Sequence, residues 1–293
     1  METDVANSGA TAGPGARDDA CNEGGVPPEI REFLSGMALA AAGANVVMQL
    51  AQLPVGHGVA KSPVERGRVD RHPIKRTRTT LSYLMIALYG TDEERDVMKR
   101  EVNRSHRQIR SGPDDDVAYN AFDTDLQLWV AACLYRGVED VHRVLHGAPD
   151  PETAEILYRH SSRLGTTLQV REDQWPADRE AFQVYWDEME QRIEMDDLTR
   201  RYLLGVANAS FFGPPFTWVV SPVIRFLTAG FLPARFRDEL GLAWSDRDQR
   251  RFDRLFGVAA AVNRVLPRPI REFPLNAYLW DTRRRIRAGR PLV

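Results

Sequence analysis

Residues 33–60 contain no Asp, Glu, Lys or Arg. A run of that length either spans a bilayer or folds into the interior of a domain. Ser35, Gly36, Gly43, Asn45, Gln49, Gln52, Pro54 and His57 interrupt its apolar residues. Polar groups facing lipid cost free energy, so this composition suits a buried helix lying against a site better than a lipid-facing span. A second uncharged stretch, residues 202–224, is broken by Gly213-Pro214-Pro215, which a continuous helix does not tolerate. No stable transmembrane span is therefore expected.

The rest of the chain has to build a core around these segments. At 293 residues it is long enough to do so. Lys and Arg total 39 against 41 for Asp and Glu, which lacks the basic excess of a nucleic-acid binder. The two cysteines, Cys21 and Cys133, exclude a disulfide framework, a Cys-rich zinc site and a four-cysteine iron–sulfur cluster. No CxxCH is present, so haem is not attached covalently in the c-type manner. Residues 1–27 are rich in Gly, Ala, Asp and Pro and read as a disordered leader, with the structured domain over 28–293. The N-terminus has no basic n-region followed by an apolar h-region, so a cytoplasmic setting is expected.

Helix signals dominate from Pro28 onward. Phe33 to about Gln52 reads as one apolar helix, and Ile74 to about Tyr89 as another. In the second, Leu81, Leu84, Met85 and Leu88 repeat at helical spacing. Thr91-Asp92-Glu93-Glu94 is a capping box that starts a helix running to about Arg110. Asp123, Pro151, Asp178 and Ser245 open further helices. Alternating apolar patterns are missing, so the expected fold is all-α, in a single globular domain.

Six histidines are the candidates for acid–base, metal or redox chemistry. His106 shares a helical face with Met98, Val102 and Ile109, which makes it a buried imidazole. Such a ring is either a core histidine bonded to a carbonyl or an axial ligand for a haem iron or another metal. Arg76 and Thr80 lie one turn apart on a face that continues inward through Leu84 and Ala87. A buried guanidinium needs an anion; otherwise it belongs to a solvated basic turn with Lys75 and Arg78. Glu139-x-x-His142 has di-iron spacing, with His146 one turn on, but the second such motif is missing and a solvated helix end is the plainer reading. His57, between Gly56 and Gly58, allows close backbone approach to a ligand. GxSxG, P-loop, GxGxxG and HExxH motifs are absent.

The order of several segments resembles the family of the MpaB oxygenase and the rubber oxygenases (latex-clearing proteins). They are Val47-Met-Gln-Leu-Ala-Gln-Leu-Pro54, Arg76-x-x-x-Thr80 through Thr91, Val102-x-x-x-His106-x-x-Ile109 and Tyr119 to Val130. Gly230-Phe-Leu-Pro233, Trp244-Ser245 and Tyr278-Leu-Trp-Asp281 follow. The resemblance implies a helical domain with globin-like packing around an internal pocket for non-covalent haem b. It implies His106 as the iron ligand and Arg76 and Thr80 as pocket residues. It also implies an apolar substrate, isoprenoid or lipid-like, cleaved at a carbon–carbon double bond with O2. Two positions depart from the pattern. Gln52-Leu53 stands where relatives often have His-Pro, leaving His57 as the candidate substitute; and Thr79 stands where rubber oxygenases carry a lysine beside the threonine.

Two other readings stay open. The uncharged run and the aromatic stretch Phe211, Phe212, Phe216 and Trp218 would also suit a non-catalytic binder of an apolar ligand. Arg283, Arg284, Arg285, Arg287 and Arg290 would suit peripheral contact with anionic lipid, although a solvated tail is the plainer reading.

Overall fold

The computed structural model describes residues 26–64 and 71–292. All but the last two residues of the leader expected over 1–27 lie outside the described residues, and Val26 is already buried. The described chain is helical throughout, apart from one isolated antiparallel bridge between Arg110 and Asn120.

The helices are α1 (Pro28–Glu32), α2 (Ala42–Leu50), α3 (Leu53–Ala60), α4 (Pro73–Tyr89) and α5 (Asp92–His106). They continue with α6 (Thr124–His146), α7 (Pro151–Ser161), α8 (Arg163–Thr166), α9 (Arg179–Gln191) and α10 (Asp197–Ala207). The last are α11 (Phe216–Phe231), α12 (Ala234–Leu240), α13 (Asp246–Val265), α14 (Arg268–Glu272) and α15 (Leu275–Arg287).

Their starts are set by local chemistry. Thr91 and Glu94 form a reciprocal capping box at α5, and Ser245 and Asp248 another at α13. Asp123, Asp150, Asp178 and Asp196 each accept a backbone N–H in the first turn of the helix that follows.

The uncharged run is not one helix. Gly36–Ala41 is a 3-10 segment, α2 follows, and the chain then bends by 109° into α3. Tertiary contacts cause the breaks. Gly36 lies against the Phe273 carbonyl and Gly43 against the Thr228 hydroxyl, so closely that neither position has room for a Cβ. Gln52 is extended and buried, and its Nε2 donates to the Met189 carbonyl at 2.9 Å, which pins the start of α3 to α9. No single helix among the described residues is long and apolar enough to cross a membrane; the bent pair passes that test only together. Gly213-Pro214-Pro215 does separate the second uncharged stretch, as α11 starts after it.

At the centre is α6. Leu128, Trp129, Ala131, Ala132, Cys133, Leu134 and Tyr135 are all buried. Trp129 packs 5.2 Å from Trp186, and Tyr135 meets Phe182 edge-on at 4.9 Å. Burying each such ring stabilises the fold by about 1.5–3 kcal/mol. Asn45 crosses from α2 to donate to the Cys133 carbonyl at 2.6 Å, and Gly137 leaves the space for it.

The C-terminal arginines do not form a solvated tail. All but Arg290 lie on α15, which packs on α4. Arg283 donates to the Tyr89 carbonyl at 2.8 Å and pairs with Glu94, while Arg284 and Arg285 pair with Asp281. Arg283 thereby satisfies the Tyr89 carbonyl at the end of α4, which the helix's own ladder leaves open.

Candidate functional site

His106 is the last residue of α5, four residues before the end expected from sequence. Beyond it the chain turns back. Ile109 N–H closes on the His106 carbonyl, and Ala121 N–H reaches the Ile109 carbonyl. The returning loop brings Phe122 edge-on to the His106 ring at 6.2 Å. Desolvation, then the charge of Arg76, lowers the His106 pKa from 6.5 to about 4. The ring is therefore neutral at physiological pH. Its Nδ1 is buried and has no hydrogen-bond partner.

Arg76 stands in the first turn of α4 after Pro73, which suits that position because it lacks an N–H. Burial lowers its pKa, and the Tyr202 oxygen on α10 partly offsets this. Among the described residues no carboxylate pairs with it. Arg76 and His106 are both desolvated, yet both keep accessible surface. Both are therefore half-buried rather than sealed in the core. Thr80 follows Arg76 by one turn and is also partly accessible. Thr79 turns back on its own helix and donates to the Lys75 carbonyl at 3.0 Å. A wide surface hollow lined by Arg71, His72, Pro73, Ile74, Lys75 and Arg78 includes neither Arg76 nor His106.

His57 is buried on α3, and its Nε2 lies 2.6 Å from Asp196 Oδ2. Asp196 also caps α10, its other oxygen accepting from Thr199 N–H at 2.8 Å. Burial works to raise the Asp196 pKa, but the hydrogen bonds from Thr199 and His57 outweigh it and the net shift is downward. Gly56 brings α3 close enough for this: a Cβ there would lie 2.7 Å from both the Leu50 carbonyl and Thr199 Cγ2. His57 Nδ1 is buried without a partner. Thr199 and Tyr202 are three residues apart on α10, so one helix links the His57 pair to Arg76.

The structure thus brings His106 and Arg76 together, sets Thr80 one turn along, and holds His57 through Asp196. Sequence reasoning missed Asp196 and Tyr202. Asp196 was readable as a helix cap, but its partner is 139 residues away and carries no local signal.

The other histidines go elsewhere. His160 Nε2 lies 2.7 Å from the Leu88 carbonyl. His142 is not simply solvated: it packs 4.3 Å from Phe33, and burial and then His146 lower its pKa to about 4. Glu139 faces Arg136 and Arg179, each at 3.1 Å, and Arg143 at 3.6 Å. Among the described residues no three or more His, Cys, Asp or Glu converge on a point that could hold a metal.

The described residues form an all-α domain in which the His106 Nδ1 has no partner and no carboxylate pairs with Arg76. Residues 30–261 match the family profile described as ER-bound oxygenase mpaB/B'/Rubber oxygenase, catalytic domain, and the chain belongs to that family. It is similar to an uncharacterised protein of Mycobacterium bovis and to one of Mycobacterium tuberculosis. Each is 46% identical over 250 residues, covering 85% of this chain and 98% of the relative. No solved structure matches it.

Proposed function

We propose that this chain is a b-type haem-dependent oxygenase that takes O2 and a small apolar substrate, isoprenoid or lipid-like, and cleaves a carbon–carbon double bond. The observation that carries the proposal is the pair His106 and Arg76. A neutral imidazole with a free ring nitrogen is the ligand an iron takes, and an unpaired, desolvated guanidinium is the partner a propionate needs. The donor set fits haem b: His106 would hold the iron, Arg76 a propionate, and Thr80 would line the same wall. Haem, when bound, would supply the oxygen chemistry.

The chain's own contribution is environment and proton control. Both His106 and Arg76 are partly desolvated while keeping some accessible surface. Desolvation strengthens the charge interactions made at such a place. His57 and Asp196 hold a proton between Nε2 and Oδ2 and fix the ring's orientation, leaving Nδ1 for a second contact. Thr79, bonded to its own helix, supplies no gating cation beside Thr80.

The test is expression with haem supply, followed by an absorption spectrum and O2 uptake with short isoprenoid substrates. A Soret band and substrate-dependent O2 consumption are expected. A colourless protein that copurifies with a lipid and consumes no O2 would overturn the proposal in favour of a non-catalytic carrier.

A further inference from the structure

The α13 helix buries Phe252, Phe256, Ala260 and Asn263 against the core. Its outward side is also apolar. Leu255, Val258, Val262 and Val265 recur at helical spacing and are between 45% and 80% exposed. Ile270 and Phe273, just beyond, are comparably exposed. Soluble domains rarely present so continuous a set of large apolar side chains unless something covers it.

The surrounding charge says what the cover is. From Asp253 to Phe273 the sequence has four arginines, Arg254, Arg264, Arg268 and Arg271, against two carboxylates, Asp253 and Glu272. Arg254 and Arg264 are exposed and have no ion pair among the described residues. Arg264 and Arg271 both bear on His146, whose pKa is lowered by burial, then Arg271, then Arg264, with Glu32 the one carboxylate acting against them. Arg268 pairs with Glu272. A second copy of the chain, docked on a two-fold axis, would set this net positive face against itself, with Asp253 and Glu272 too few to offset four arginines. An anionic bilayer surface meets both requirements: headgroups for the guanidinium groups and acyl chains for the valines.

We propose that α13 and α14 form a peripheral docking face for an anionic membrane, with Leu255, Val258, Val262, Val265, Ile270 and Phe273 entering the interface between flanking arginines. None of these six residues belongs to the candidate site, and the inference does not rest on the function proposed for it.

The test is cosedimentation of the full chain with phosphatidylcholine vesicles and with vesicles containing phosphatidylglycerol. Binding is expected to the anionic vesicles, falling with added salt. Arg254→Gln with Arg264→Gln should weaken partitioning by about fivefold per charge removed. Val258→Asp with Val262→Asp should reduce it to background while thermal unfolding stays at wild-type temperature, since both positions are exposed. The proposal is overturned if wild type stays in the supernatant, or if the Asp variant binds as well as wild type. It is also overturned if wild type is a dimer that ignores vesicles and that the Asp variant splits into monomers, which assigns the face to a second copy.

Discussion

Two arginine environments in this molecule differ in one respect. Around Glu139, a carboxylate 3% exposed, Arg136, Arg143 and Arg179 converge, so buried charge is neutralised within the fold. Around Arg76 the described residues supply no carboxylate, and the groups that interact with its charge are the His106 ring and the Tyr202 hydroxyl. The first arrangement is complete as built. The second has no carboxylate among the described residues to offset the desolvation of its guanidinium.

Removing charge from each site should therefore have opposite weight for stability. Glu139→Ala removes the carboxylate partner of Arg136, the most buried of the three arginines, and is expected to cost about 2 kcal/mol in denaturant unfolding. Arg76→Gln, in the ligand-free protein, should change stability by less than ~1 kcal/mol, because it removes an unpaired cation. A larger loss for Arg76→Gln than for Glu139→Ala would break the comparison.

A comparable effect should appear with pH. His106 and His142 have folded-state pKa values of about 4 against an ordinary 6.5, so the folded state prefers both rings neutral. Stability from that preference is fully present above pH ~6.5 and is lost as pH falls toward ~4. Ligand-free protein should lose on the order of 2 kcal/mol across that window, with partial exposure discounted. The variant carrying both His106→Gln and His142→Gln should show a flatter acid limb.

The smallest effect sharpens the geometry. Arg76 lowers the His106 pKa only after desolvation has done so. Arg76→Gln should therefore raise it by less than about one unit, read by NMR titration of the imidazole. An unchanged value would separate the two groups.

Much of this was written in short-range sequence. The capping box at Thr91 and the caps at Asp123 and Asp178 announced their helices because a cap is chemistry within one turn. Arg76 and His106 stood out because each broke an apolar helical face. The bend at Ala51–Gln52 falls where the expected helix ends, before Leu53-Pro54, but the 3-10 segment Gly36–Ala41 was not legible, because Ala and Gly carry no stop signal and Phe273 and Thr228 press on Gly36 and Gly43 from distant segments. The end of α5 was misjudged for the same reason: Arg110 leaves the helix to bridge with Asn120. The His57–Asp196 pair joins two helices far apart in sequence, and periodicity within one segment cannot report it.

The central claim is that the opening beside Arg76 is completed by haem on His106. Haemin titrated into purified wild type, His106→Ala and His142→Ala, with the Soret band recorded, tests it most directly. The account predicts a saturable shifted band for wild type and His142→Ala, and none for His106→Ala. A wild-type chain that leaves haemin unbound, or a His106→Ala spectrum identical to wild type, would contradict it.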